Sequence, residues 1–490
     1  MLTIQERMFC FMLNLDAKNV IVEDINYFME KNIKFSISIK TDATIKRYLF
    51  NEDGSMNEII EGKFYEDGMF MDILFVDNFR KEYNVVYSQG TGFLIFNGVI
   101  WESCSDIHIQ QLIAEILENE DKITNQKVNS TFRMLINQSN NDKVGELLNS
   151  NRTRLVLKNG TLDISDIKNP VFYKDKFFKE DYSTIQLNVN YDIDALETAP
   201  NWKYYTTSTF ENDTERMKLI GEMLGYCLTP SCKYHKSFML VGEGSNGKSV
   251  LLDIMDYIWG SKNISDVDIS ELDRAFSRVS LFGKLINKSS EIGTNLKTTS
   301  YFKKIVTGDM IDGEYKGKDK FSFVSTAKLI FAMNNLPTTK DKSDGFYRRL
   351  VIIPFNKQFK GDEVDVNLSE KLKLEADAIF MFALQGLQRL VKQNKFTESV
   401  EVNNKLEEYK LESNPVKQYM EDKYIVSDEE DKYIKSSTIY DSYVTWCGSN
   451  GFMKMNNVNF GKELKRLGYN KKQKKIDGKA VWIYSDLKKK

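Results

Sequence analysis

Apolar positions change their period between Ser237 and Ile258. Phe238 to Val241 is an unbroken apolar run, the pattern of a strand covered on both faces. A glycine-rich stretch follows, and then Val250, Leu251, Ile254, Met255 and Ile258 recur at helical spacing. The pattern predicts strand, loop and helix in direct succession. Three more short apolar runs come later, each ending or beginning at a polar group. Gly283 to Ser290 predicts a strand that stops at Glu291, and Ala327 to Met333 one that stops at Asn334. Leu350 to Pro354 predicts a strand just after Arg348 and Arg349. Helical periodicity predicts Thr206–Thr229 (Met217, Ile220, Met223, Leu224 and Cys227 on one face), Leu368–Val391 and Val400–Lys410.

Upstream the pattern is mixed. Lys34 to Ile39 alternates as a strand does, and Ile107 to Leu117 repeats as a helix does. Thr91–Trp101 reads as a hairpin turning at Asn97-Gly98, since Asn-Gly favours two-residue turns. Leu155–Asp163, around Asn159-Gly160, reads as a second hairpin. Glu61, Glu66, Asp67 and Asp72 are spread as on a solvated face, not clustered as a two-metal site requires. Downstream, Thr438–Trp446 and Val458–Leu467 predict two helices. Lys471–Ser485 predicts a hairpin turning at Asp477-Gly478, and Lys488 to Lys490 read as a solubilising tail.

The six prolines act as boundary marks, because proline is disfavoured inside regular elements. Pro200 and Pro415 help divide the chain into a mixed α/β region over 1–200, a core over 201–395, and a linker helix with a basic end over 396–490. The 490 residues carry a net charge of −2, so any polyanion-binding surface must be local. One such surface lies in residues 453–490, with twelve Lys or Arg against three acids. No apolar run reaches the roughly 20 residues of a membrane span. The N-terminus lacks the layout of a secretion signal, and five scattered cysteines suit a reduced, cytoplasmic setting. Cys227, Cys232 and His235 fall close together in sequence but lack a fourth metal ligand, so buried thiols are expected there.

The loop after the first strand carries the chemistry. Gly242-Glu243-Gly244-Ser245-Asn246-Gly247-Lys248-Ser249-Val250 fits the phosphate-binding pattern in the strand–loop–helix setting that it requires. Glycines let backbone N–H groups close around phosphates, and the helix N-terminus adds partial positive charge. Lys248 reaches toward the β- and γ-phosphates, and the Ser249 hydroxyl is a Mg²⁺ ligand. A nucleoside triphosphate with Mg²⁺ is therefore the expected cofactor. Hydrolysis also needs an acid, a polar group to orient water and a cation. Glu291, Asn334 and the Arg348/Arg349 pair follow in a consistent order.

Taken together, Gly-Glu-Gly-Ser-Asn-Gly-Lys-Ser, Gly-Lys-(x)5-Ser-Glu, the strand ending Asn-Asn-Leu-Pro and Tyr-Arg-Arg-Leu-Val-Ile-Ile-Pro-Phe resemble the AAA+ core of superfamily 3 helicases. The branch resembled is that of phages, plasmids, mobile islands and the poxvirus primase–helicases. Asn-Gly-Thr-Leu-Asp and Leu-Gly-Tyr-Cys-Leu-Thr resemble the segment preceding the motor in that branch.

The resemblance implies an α/β fold: a P-loop AAA+ core, a mixed α/β N-terminal region and a C-terminal winged helix. It implies ATP and Mg²⁺ at Ser249, with Lys248 on the phosphates, Glu291 as the Walker B acid on metal and water, and Asn334 as the first sensor. Arg349 would be the arginine finger acting on a neighbour's ATP, with Arg348 the second choice. Many relatives carry two consecutive acids where Ser290 and Glu291 stand here, so one carboxylate would serve metal and water. It implies a homo-hexamer with single-stranded DNA in its pore, gripped by a hairpin bearing Lys316, Lys318 and Lys320. At the winged helix, Lys462, Lys465, Arg466, Lys471, Lys472, Lys474 and Lys475 would hold duplex DNA. The expected function is an ATP-dependent hexameric DNA helicase initiating replication of a mobile genetic element. The alternatives are an ATP-switched initiator that does not unwind DNA, and the helicase half of a primase–helicase.

Overall fold

The computed structural model describes residues 20–21, 35–40, 45–50, 56–62, 64–66, 69–118, 123–141, 143–290, 295–296, 298–317, 319–339, 341–426, 433–485 and 487–490. They fall into two units, residues 1–151 with 177–185, and residues 152–176 with 186–490.

In the first unit Val20–Ile21, Phe35–Lys40, Ile45–Phe50 and Met56–Gly62 form a four-stranded antiparallel sheet. Helices Asp72–Tyr83, Asp106–Glu118 and Asn125–Ser139 accompany a second antiparallel sheet, Val85–Ser88, Gly92–Phe96 and Trp101–Cys104. Their core includes Phe75, Phe79, Phe93, Ile109, Ile113 and Leu135. The expected Asn97-Gly98 hairpin is present, but Phe96 pairs with Trp101, so the connection is four residues long. Asn97 Oδ1 accepts from the N–H groups of Val99 and Ile100, which spends the asparagine on a wider loop. Asp72 accepts from Ser130 and Thr131 and so fastens one helix to another. Of the other carboxylates noted nearby, Asp67 lies outside the described residues.

The second unit is built on a five-stranded parallel sheet. Its strands are β1 (Ser237–Val241), β2 (Ile264–Ser265), β3 (Ile286–Ser290), β4 (Lys328–Met333) and β5 (Leu350–Pro354), in the order β2-β3-β4-β1-β5. Every residue of β1, β4 and β5 is buried, which explains the unbroken apolar runs. On one face Met239, Leu329, Phe331 and Ile352 pack with Phe302, Ile305 and Phe346.

The helix expected over 206–229 is two helices, α1 (Pro200–Thr209) and α2 (Thr214–Cys227). Glu211 and Asn212 have left-handed backbone between them. Asp213 then caps α2 by accepting from the N–H groups of Glu215 and Arg216. Further along lie α3 (Lys248–Trp259), α4 (Ser300–Thr307), the short α5 (Asp344–Tyr347), α6 (Ala376–Gln393) and α7 (Val400–Glu412). The helix expected over 368–391 breaks at Glu375. That carboxylate accepts from Asn201 N, Asn201 Nδ2 and Trp202 N, and so caps α1. The 155–163 hairpin is present with Leu157 opposite Gly160, which places its turn at Lys158-Asn159. Gly160 serves the third strand, since a Cβ there would fall 2.2 Å from the Tyr173 carbonyl.

The C-terminal part contains α8 (Pro415–Lys423), β6 (Tyr424–Val426), β7 (Ile434–Lys435), α9 (Ser436–Ser449), α10 (Asn457–Arg466), β8 (Lys472–Ile476), β9 (Lys479–Tyr484) and β10 (Leu487–Lys489). Tyr419, Tyr443, Phe460, Leu464 and Tyr484 form its core. The β8–β9 hairpin turns at Asp477-Gly478, both at positive φ, as expected. The terminal lysines are not a free tail. Leu487–Lys489 pairs with β6, because Leu487 inserts into the core and draws the chain into register.

Candidate nucleotide site and nucleic-acid surfaces

The phosphate loop sits at the carboxyl end of β1 and runs into the N-terminus of α3. Gly242 N donates to Met333 O, Phe355 N to Val241 O and Phe359 N to Ser245 O, so β4 and the segment after β5 fix the loop. A Cβ on Gly242 would fall 2.2 Å from Asn246 Nδ2 and 2.5 Å from Phe355 O, so only glycine fits there. Gly247 has φ +84°, and a Cβ there would press on the Tyr205 ring at 3.0 Å. The buried Tyr205 on α1 donates its hydroxyl to Gly247 O at 2.9 Å, bracing the loop from behind. Lys248 Nζ donates to Gly242 O at 2.5 Å and Asn246 Oδ1 at 3.1 Å. Burial pulls its ammonium below the ordinary lysine pKa. Ser249, the first-turn hydroxyl, is exposed, as are Glu243 and Ser245. A glycine cradle, a lysine folded over it and a free hydroxyl at a helix N-terminus fit a Mg²⁺-bound triphosphate.

Strand register decides what lies beside the loop. Val241 is level with Met333, and Ser290 with Ala332. The exposed Asn334 and Ser290 therefore flank the loop at the same sheet edge, with Asn334 on the strand between. Glu291, next after Ser290, lies outside the described residues, so its side chain has no assigned place here.

Arg348 and Arg349 are at the other edge. Leu350 is level with Ser237, the first residue of β1, and Ser237 N donates to Arg349 O at 2.8 Å. Arg348 is exposed. Arg349 turns back to donate to Gly345 O, and its Nε has no acceptor among the described residues. Asp341 steadies this turn, accepting from Lys303 Nζ at 2.8 Å, from the Thr299 hydroxyl and from Ser343 N. Burial works to raise the Asp341 pKa, but these bonds outweigh it and hold the carboxyl well below its ordinary value.

Comparisons with known proteins bear on the whole of this arrangement. Residues 73–211 match the family described as D5 N terminal like, and residues 411–487 the Poxvirus D5 protein-like family. Residues 240–349, from β1 to the second arginine, match a family of unknown function (DUF5906). Two of the three matches are thus to D5-like families, one on each side of the parallel sheet's segment.

Two relatives of this chain are "Putative helicase 184R" of Invertebrate iridescent virus 6 and "Putative helicase L207/L206" of Acanthamoeba polyphaga mimivirus. The first is 24% identical over 66% of this chain and 37% of that protein. The second is 23% identical over 89% of this chain and 50% of that protein. The chain thus spans half or less of the length of these two relatives. Among solved structures, the apo NrS-1 C terminal region aligns over 83% of this chain and 97% of its own, at 12% identity and a TM-score of 0.45. The D5-like family matches and the two putative helicases agree with the resemblance drawn from the motifs.

The two lysine-bearing surfaces are built differently. Met310–Gly313 and Phe321–Val324 form the expected antiparallel hairpin before β4. The buried Arg278 anchors it, donating to Asp312 Oδ2 at 2.7 Å and Asp312 O at 2.9 Å, with its guanidinium 3.5 Å from the centre of the Tyr301 ring. Lys316 and Lys320 are exposed at the tip, and Lys318 lies outside the described residues. In the C-terminal part Lys462, Lys465, Lys471, Lys472, Lys474 and Lys475 are all exposed. Arg466 is exposed too, but makes a two-bond pair with Glu463 at 2.7 and 3.0 Å. Asn414 donates to the same Glu463 at 2.6 Å, so Arg466 belongs to a contact with the α7–α8 junction.

Sequence reasoning missed Tyr205, Asp341 and Arg278. Arg278 had no signal, since its partner lies 34 residues away. Asp341-Lys-Ser343 before a short apolar run is a capping pattern that was available to be read.

Proposed function

We propose that this chain is a D5-like protein, the AAA+ motor of a hexameric ATP-driven DNA helicase that initiates replication of a mobile genetic element, with a C-terminal winged helix on duplex DNA. One observation carries the reading: the phosphate loop and the arginine pair stand at opposite edges of one sheet. From Ser237 to Gly242 is five residues of strand, about 16 Å at the usual rise. That exceeds an arginine's reach, so neither guanidinium serves its own chain's phosphates. A cation supplied by a neighbouring copy closes the site and makes hydrolysis depend on assembly.

In that site Lys248 and the loop N–H groups hold the phosphates, Ser249 with Glu291 holds Mg²⁺, and Asn334 orients the attacking water. The bound Mg²⁺ neutralises charge on the phosphates. The trans arginine stabilises the charge that develops on the γ-phosphoryl oxygens. Order β3-β4-β1 supports this assignment, since it sets Asn334 between the cradle and the strand that leads to Glu291.

The test mixes two inactive variants. Lys248→Ala and Arg349→Ala each lose ATP hydrolysis alone. Mixed, they form some interfaces with an intact loop facing an intact arginine, and activity returns. If Arg349→Ala alone hydrolyses ATP at the normal rate, the trans assignment to Arg349 is wrong. Strand displacement on a forked substrate separates a helicase from an ATP-switched initiator, which would hydrolyse ATP and leave the fork intact.

A further inference from the structure

Five tryptophans occur in the chain, and four are buried: Trp101, Trp202, Trp259 and Trp446 are at most 8% exposed. Trp482 on β9 is 44% exposed. On the same face of the strand Tyr484 enters the core, while Trp482, two residues nearer the Asp477-Gly478 turn, stays exposed. In register, Gln473 is opposite Trp482 and Lys475 opposite Ala480, so these four share one face of the hairpin. Lys471 Nζ lies 4.8 Å from the centre of the Trp482 ring. An indole is thus presented on a strand pair beside Lys471, with Lys475 at a diagonal position and the small Ala480 next to it on the side of the turn.

We propose that Trp482 is a stacking platform for an unpaired base of a DNA strand, with Lys471 and Lys475 holding the flanking phosphates. The proposal rests on the reading of the C-terminal part as DNA-binding, and adds which form of DNA this face takes. Duplex DNA offers grooves and phosphates to the side of a hairpin, and a base's π-face is free only where the strand is unpaired or ends. An exposed aromatic ring among lysines matches that second chemistry, in which stacking gives affinity with little sequence preference. Its place on the wing, beside the lysines assigned to duplex, suits a junction where a duplex gives way to single strands.

The test uses the full chain and three labelled DNAs: a blunt duplex, an oligothymidylate and a fork. Because Trp482 alone is exposed, quenching of intrinsic fluorescence by acrylamide reports on it, and bound oligothymidylate should protect it. Trp482→Ala should weaken fork and oligothymidylate binding about 10-fold and change duplex binding less than about twofold. Trp482→Phe should recover most of the loss. Lys475→Ala should lower the salt dependence of fork binding by about one counterion. Unchanged fork affinity in Trp482→Ala, or acrylamide quenching insensitive to bound oligothymidylate, overturns the platform. An equal loss for duplex and fork also overturns it, since the ring would then be serving the duplex contact or the hairpin's fold. Failure of the underlying reading looks different: a Lys472, Lys474 and Lys475 triple alanine variant would bind duplex as the wild type does.

Discussion

The two edges of the central sheet are made of different materials. At the carboxyl edge the backbone does most of the work: one contiguous stretch, Gly242 to Ser249, folds into a cradle that leaves no room for a methyl group at Gly242. At the amino edge side chains dominate, and Lys303 joins Asp341, Arg348 and Arg349 from a separate segment. The cradle of the first edge is formed within one copy of the chain. The second presents cations with no phosphate of its own within reach. On the proposed reading, the difference makes the two edges half-sites, and a full site a property of an assembly.

The contrast is sharpened most by the arginines. Arg349→Ala should cut ATP turnover by about 10³-fold or more, the scale of a lost arginine finger, with Arg348→Ala the milder change. Steady-state hydrolysis of the two variants checks it, and the reverse order would reassign the finger to the exposed Arg348. Glycine substitutions compare the edges next. Gly242→Ala should abolish nucleotide binding measured with a fluorescent ATP analogue, since neither neighbouring backbone nor Asn246 has space to yield. Gly345→Ala meets nothing closer than 3.6 Å and should bind as the wild type does.

Acid titration probes the amino edge alone. The Asp341 pKa is depressed in the folded chain, so its contribution to stability is full above the unfolded value of about 3.9 and is lost as pH falls below it. Asp341→Asn should cost about 1–2 kcal/mol at pH 7, and that gap should narrow toward pH 3 in denaturant melts. The smallest effect belongs to Tyr205→Phe, which removes one buried hydrogen bond to the loop. It should cost about 1 kcal/mol, read as a several-fold rise in KM for ATP with kcat held.

What the sequence showed was local. The loop, the strands β1, β4 and β5, the lysine hairpin and the α9–α10–hairpin series each announce themselves through period or turn chemistry within about a dozen residues. What it did not show depends on distant partners. Glu375 is an unremarkable acid in a helical run until it caps α1, over 170 residues earlier. Helix α8 supplies Val416, Tyr419 and Met420 to the C-terminal core, yet its short mixed sequence carries no strong period. The terminal lysines hid a strand because Leu487 was the one apolar residue to mark it. At Asn97-Gly98 a familiar turn pair served a wider loop, since the side-chain bonds of Asn97 competed with the tight turn.

Strand β4 has a mechanical consequence. The lysine hairpin leads through Ser325 to Ala327 directly into β4, and β4 ends at Asn334 beside the phosphate loop. Its neighbours β1 and β3 hold it from both sides. Creep by one residue would break both ladders and swap Phe331 and Ile330 between the two faces of the sheet. Such a strand behaves as a stiff rod: a pull applied at the hairpin reaches Asn334 through displacement of the sheet as a block, with no slack to absorb it.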